Sequence, residues 1–348
     1  MRVLLVGHDF DLSANDGISR YSYELYNGLK KHADVSIAAT GRLPRPVRAF
    51  SSVKAKDVDI VHLMYPDVAK VYKGDAKMVV TWHDLRLFNK YESQSQARYK
   101  PKLSERFNIA SSIIRKWTHE NYVASDALLF NSSQTFRDVN EQFKAYGTYD
   151  PAKRYEVTNF GVDSEFLRAR IWKGRRKDFA YMGSIHLKHK NLPGLLRVFD
   201  AVAEKSDARL HIFTSSPGAA ELLESAMRQF THLSSKNVLL HFKNTDSQIA
   251  GSLPKLSAYL QLTKHEGYGM SILCALAAGT NVLTLKGSTI PLETRKYAFK
   301  GTEAEVVRKA LELAKSSKPA QAQAVRYARS FTWKRTVKET LAVYKKLL

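Results

Sequence analysis

The 348-residue chain exceeds the size at which a single hydrophobic core stops growing, so two domains are expected. Hydrophobic content of 44% excludes a disordered chain, no run reaches the ~18–20 apolar residues of a membrane span, and the lone Cys274 excludes internal disulfides and cysteine-based zinc clusters. The net charge of +22 is unevenly spread, +7 over residues 1–155 and +15 beyond, and favours anionic partners.

Residues 1–7 are too short for a signal peptide and read as a first strand, which with one cysteine makes a reducing cytosol the expected compartment. The first half then alternates short Val-, Ile- and Leu-rich runs with amphipathic stretches. Strands are predicted at 3–7, 34–40, 59–64, 78–82 and 127–131. In 18–31, Ile18, Tyr21, Leu25 and Leu29 share a helical face; in 102–123 the face is Leu103, Phe107, Ala110, Ile114 and Trp117. Residues 155–163 read as a strand leading into a turn, and the basic segment 168–177 follows, which places a domain boundary near 160–175. The second half repeats the pattern, with strands at 179–182, 209–214, 238–242, 259–263 and 282–285. Its helices fall at 192–205, 219–231, 270–278, 303–316 and from 334 onward. Such alternation predicts two parallel sheets covered by helices. Open α/β sheets bind ligands at the C-terminal ends of their strands, so a site in a cleft shared between the domains is expected.

Four strand ends carry candidate chemistry. In the loop 11–20, Gly17 stands where a helix starts, so its N–H could meet an anion; the loop lacks a GxGxxG fingerprint and reads equally as an ordinary strand-to-helix connection. Thr81-Trp82-His83-Asp84 puts His83 at a strand end, as a sugar or acceptor ligand or as a turn residue. Between Gly183 and Pro193, Lys188 and Lys190 precede a helix N-terminus with Asn191 as a possible cap. A cation beside free N–H groups suits a pyrophosphate, although these lysines could also belong to the general basic surface. The segment His265-Glu266-Gly267-Tyr268-Gly269-Met270-Ser271 sets a lone carboxylate before two glycines and a helix that runs from about Met270 to Gly279. Glu266 suits hydroxyls and the helix start suits a phosphate, so the pairing points to a sugar joined to a phosphate. Residues 286–293 would extend that phosphate-facing surface.

Together these motifs resemble the retaining nucleotide-sugar glycosyltransferases of the glycogen-synthase and mannosyltransferase type (family four), over nearly the whole chain. Gly17-Ile18-Ser19-Arg20-Tyr21 looks like the family's glycine loop, and Trp82-His83-Asp84-Leu85 like its His-Asp strand end. Residues 127–133 are similar to its fifth-strand motif, and Gly161-Val162-Asp163 to the entry of its donor domain. The stretch 183–192 looks like its Gly…Lys-Asn-Leu segment, and Phe331-Thr332-Trp333-Lys334-Arg335 with Val343-Tyr344 resembles its C-terminal crossover helix. The resemblance implies a GT-B fold of two Rossmann-like domains facing a central cleft. Residues 1–160 would form the acceptor domain, 161–330 the donor domain, and 331–348 a helix packing back on the first.

The resemblance also implies roles. Glu266, the first Glu of the E-x7-E motif, would contact donor sugar hydroxyls, His83 the transferred sugar, and Lys190 the pyrophosphate. Gly17, Gly267, Gly269, Met270 and Ser271 would offer amides to the phosphates. No metal and no separate cofactor are implied; the donor would be a UDP- or GDP-linked sugar, and transfer would retain anomeric configuration. Two positions depart from the pattern. Cys274 stands where the second Glu would hold the ribose, and a thiol there should cost about 1–3 kcal/mol of donor affinity. Ser184 replaces an Arg common in the family, with Lys188 or His189 placed to compensate.

Arg86, Phe88, Lys90, Tyr91, Arg98, Tyr99, Lys100 and Lys102 mix cations with aromatics, as an anionic membrane interface or lipid-linked acceptor would require; a loop of solvated charges has the same composition. A peripheral position on the cytosolic face of a membrane and a glycan or lipid-linked acceptor are the expectation. The alternatives are a degenerate sugar- or nucleic-acid-binding relative, or a GT-B sugar-nucleotide epimerase or phosphorylase. No nucleic-acid signature is present, and charge is the only argument for that partner.

Overall fold

The computed structural model describes residues 1–12, 17–41, 47, 50–84, 109–145 and 147–348. The chain divides into two units, Met1–Gly161 with Trp333–Leu348, and Val162–Thr332.

The first unit holds a six-stranded sheet. Its strands are β1 (Arg2–Gly7), β2 (Asp34–Ala39), β4 (Ile60–Leu63), β6 (Lys77–Trp82), β7 (Ala127–Phe130) and β8 (Arg154–Val157). Two short strands, β3 (Ser52–Lys54) and β5 (Lys70–Tyr72), pair with each other. The main order is β2-β1-β4-β6-β7-β8, parallel throughout. β4 and β7 are buried at every residue, as helices on both faces of a parallel sheet require. Helices Gly17–Leu29, Ile109–Ala124, Ser133–Ala145 and Trp333–Leu347 belong to this unit. The last two were not both foreseen: the 133–145 helix went unread, although Phe136, Val139 and Phe143 recur at helical spacing. The terminal helix packs on Gly17–Leu29, where Gly28 makes room: a Cβ there would lie 2.2 Å from Val337 Cγ2.

The second unit repeats the design with β9 (Phe179–Met182), β10 (Leu210–Thr214), β11 (Val238–Phe242), β12 (Ala258–Gln261), β13 (Asn281–Leu285) and β14 (Phe299–Gly301). Their order is β11-β10-β9-β12-β13-β14, again all parallel. One face buries Phe179, Leu210, Ile212 and Leu260 against Leu195, Leu196 and Phe199 of helix Leu192–Ala203 and Val306 and Ala310 of helix Glu303–Ser316. In each sheet the first strand is flanked by the second on one side and a later strand on the other. The chain order therefore reverses beside β1 and beside β9, the switch points at which open α/β sheets bind ligands. No helix among the described residues is long and apolar enough to cross a membrane.

Candidate functional site

The second unit gathers most of the expected residues at its switch point. β9 ends at Met182, and the chain passes through Gly183 and Ser184 into a 3-10 turn at Lys188–Lys190, then through left-handed Asn191 into helix Leu192–Ala203. This connection is stitched to the end of β12. Lys264 N–H and Thr263 Oγ1 donate to the His189 carbonyl at 2.8 and 2.7 Å, and Asn191 Nδ2 donates to the Leu262 carbonyl at 2.8 Å. The turn thereby delivers Lys190 to Glu266: Nζ lies 2.6 Å from Oε1, with side chains 19% and 11% exposed. Lys188 is exposed beside it.

Glu266 is held from the other side as well. Beyond β12 and β13 the two segments stay paired, with Glu266 N–H donating to Thr289 O and Thr289 N–H to Lys264 O, both at 2.9 Å. Gln261 Nε2 donates to Glu266 Oε1 at 2.5 Å. Both donors meet Oε1, and Oε2 receives none among the described residues. Gly267 and Tyr268 follow, and Thr294 Oγ1 fixes the Tyr268 carbonyl at 2.7 Å. Gly269, at φ +85°, then opens helix Met270–Ala277 with no side-chain cap. Such an N-terminus, with a lysine nearby, is suited to an anion. The far end of this helix is met by two guanidinium groups: Arg329 Nε donates to Ala277 O at 3.0 Å, and buried Arg176 to Gly279 O at 2.9 Å. Cations at a helix C-terminus satisfy its last carbonyls and favour its dipole.

Ser271, in the first turn, is half-buried; Cys274 is 5% exposed on the buried side of the helix. Ser184 Oγ lies 3.0 Å from His186 Nδ1 and 3.2 Å from Ser216 Oγ, so its hydroxyl joins a polar cluster with Thr214 at the ends of β9 and β10. Sequence reasoning overlooked Gln261 and Tyr259, which were absorbed into an apolar strand. A glutamine inside a fully buried strand was the available signal, because a buried amide demands partners.

In the first unit, Gly17 opens the helix after β1, and His83 follows β6 beside β4. His83 is buried, its Nε2 donates to the Met64 carbonyl at 2.5 Å, and its ring meets Tyr21 edge-on at 5.2 Å. Asn131 Nδ2 holds the His83 carbonyl at 2.9 Å. A buried polar chain lies alongside. Tyr344 OH is 2.5 Å from His62 Nδ1, His62 Nε2 is 2.7 Å from Thr81 Oγ1, and Tyr21 OH is 2.9 Å from the same oxygen. Burial, with neighbouring His83 a lesser cause in the same direction, pushes His62 down to about 3, so it is neutral at physiological pH. Residues 86–102, expected to face an acceptor or membrane, lie outside the described residues, as do Leu85 and 13–16 of the glycine loop.

Solved structures of glycosyltransferases match this architecture from end to end. Sucrose-phosphate synthase from Thermosynechococcus elongatus aligns with a TM-score of 0.72 at 11% identity, covering 99% of this chain and 98% of its own. WaaG, a glycosyltransferase involved in lipopolysaccharide biosynthesis, gives 0.68 at 11% identity over 98% and 99%. The trehalose-6-phosphate synthase OtsA gives 0.68 at 10% identity over 100% of both chains. The chain has the GT-B glycosyltransferase fold. Residues 163–331, nearly the whole of the second unit, match the family model described as Glycosyl transferases group 1. No curated protein matches the chain by sequence.

Proposed function

We propose that this chain is a retaining, metal-independent glycosyltransferase that moves a hexose from a UDP- or GDP-linked sugar to an acceptor hydroxyl on a glycan or lipid-linked sugar. The observation that carries this reading is the Lys190–Glu266 pair beside the uncapped start of helix Met270–Ala277. A carboxylate with an open oxygen recognises sugar hydroxyls, while a lysine and a helix N-terminus recognise a diphosphate; a nucleotide sugar presents both groups within one molecule. Lys190 and Glu266 satisfy each other's charge. A bound diphosphate would take Lys190 and leave Glu266 Oε2 for the sugar.

Under this reading Lys190, the Met270 and Ser271 amides and the Gly267–Gly269 loop stabilise charge on the departing nucleoside diphosphate as the anomeric C–O bond breaks. Lys188 and Ser184 line the approach to the same phosphates. The acceptor hydroxyl forms the new C–O bond from the face that the diphosphate leaves, so the leaving phosphate oxygen is the nearest base for its proton. Positioning and preorganised charge supply the catalysis. With Cys274 in place of a ribose-binding carboxylate, the nucleotide is held mainly through its phosphates. The positive charge of the chain further supports an acceptor at an anionic membrane surface on the cytosolic side.

The test is a thermal-shift screen of UDP-, GDP-, ADP- and dTDP-sugars, followed by product analysis with the best binder. A ligand that binds only the native state raises the melting temperature by mass action. Absence of any shift across the four nucleotides would sink the donor-site reading, and an inverted product anomer would sink retention.

A further inference from the structure

β12 is buried along its whole length, yet it ends in a glutamine. The amide of Gln261 meets its partners in one orientation only. Its Oε1 accepts the hydroxyl proton of Tyr259, and its Nε2 donates to Glu266 Oε1 at 2.5 Å. Turning the amide over would set Oε1 against a carboxylate oxygen, so the side chain is locked. Tyr259 is fixed in turn. Its hydroxyl lies 3.0 Å from Ser271 Oγ and 3.2 Å from the Met182 carbonyl, and burial raises its ionisation well above the usual tyrosine range, so it stays a neutral donor.

Glu266 Oε1 thus has two donors of different kinds. Lys190 is charged and carried on a flexible stem in a short turn; Gln261 is neutral and anchored in a strand. A diphosphate competes with Glu266 for the lysine because both are anions. It has no such claim on Gln261, whose one facing donor points at the carboxylate. We infer that Gln261 is a positioning residue for Glu266: it holds the carboxylate in place, with Oε2 presented to the sugar, while Lys190 is engaged by the diphosphate. This inference rests on the donor-site reading above.

Two variants test it. Gln261→Leu removes both amide groups, and the uncharged Gln261→Met keeps a weak acceptor for Tyr259, its thioether sulfur, while removing the donor to Glu266. Both are titrated with UDP-glucose, UDP-N-acetylglucosamine and GDP-mannose, with UDP and GDP as sugar-free controls. Each variant should bind the free nucleoside diphosphate like the wild type. Each should lose about tenfold affinity for the sugar nucleotide, the worth of one hydrogen bond to a charged group. In a Glu266→Ala background the same substitutions should cost nothing further. Equal losses for nucleotide and sugar nucleotide, or a loss that persists without Glu266, would overturn the role and mark Gln261 as structural. If Gln261→Leu does not fold, the similarly long, unbranched Gln261→Met is read by the same criteria. A wild-type protein that binds no sugar nucleotide overturns the donor site and this inference with it. Wild-type binding that both variants match on every probe overturns only the role of Gln261.

Discussion

At Gly269 the backbone turns through φ +85°, and a Cβ placed there would lie 3.2 Å from Ile272 Cδ1 and 3.4 Å from Thr294 Oγ1. Gly269→Ala should therefore destabilise the protein by about 1–2 kcal/mol from left-handed strain, read as a lower melting temperature. It should also weaken nucleotide affinity, because the turn sets where the helix begins. Lys190→Ala should lower kcat about 10²–10³-fold, the scale for removing one preorganised donor to developing charge. Glu266→Ala should abolish measurable transfer while far-ultraviolet circular dichroism stays unchanged. A lost fold would instead assign the Lys190 pair a structural role. Much of this site was readable from sequence because its residues are local: Glu266, Gly269 and Met270 fall within five positions, as do Lys188, Lys190 and Leu192. Gln261 and Tyr259 were not readable, since the hydrogen bonds that give them meaning join a strand to a loop and a helix turn through side-chain orientation alone.

Among the contacts of the terminal helix Trp333–Leu347 with the rest of the first unit, two of unlike chemistry give tests. One is steric. Gly28→Ala would drive a methyl into Val337 and should cost about 1–3 kcal/mol as overpacking, measurable by urea denaturation. The other is polar and gives a pH dependence with a definite sign. Unfolded His62 takes up a proton near 6.5, whereas folded His62 resists protonation down to about 3. Acid therefore favours the unfolded chain, and stability falls from pH 6.5 downward by up to about 1.4 kcal/mol per unit from this group. Asp178 adds a second, lower window. Burial alone would raise it, but hydrogen bonds from His211 and Arg209 outweigh burial and bring it to about 2, so its contribution is present above about 4 and lost toward 2. Melting curves of His62→Gln should be flatter than wild type between pH 6.5 and 4; an unchanged slope would refute the assignment. At this scale the apolar strands were legible, because parallel strands buried on both faces read as continuous Val/Ile/Leu runs. β3, β5 and β14 were not, being three residues each and carrying lysines, with too little pattern to distinguish them from loop.

For the whole molecule, the charge of +22 makes a testable statement about surfaces. Binding to phosphatidylserine-containing vesicles should be present at low salt and largely lost near 0.5 M, where the Debye length shrinks to about 4–5 Å. A protein that floats free of such vesicles at every ionic strength would remove the membrane from the acceptor hypothesis. The path of the chain has a further consequence. The second unit opens and closes at one place: Val162 N–H donates to the Phe331 carbonyl at 3.0 Å, and Val162 pairs with Thr332. Residues 162–332 are therefore one uninterrupted stretch whose two ends are fastened together, spliced into a host unit that resumes at Trp333. Such a segment is exchangeable as a cassette. Gene fragments encoding it from differently specialised relatives could be traded in at two fixed junctions, leaving the buried Tyr344–His62 link of the host untouched.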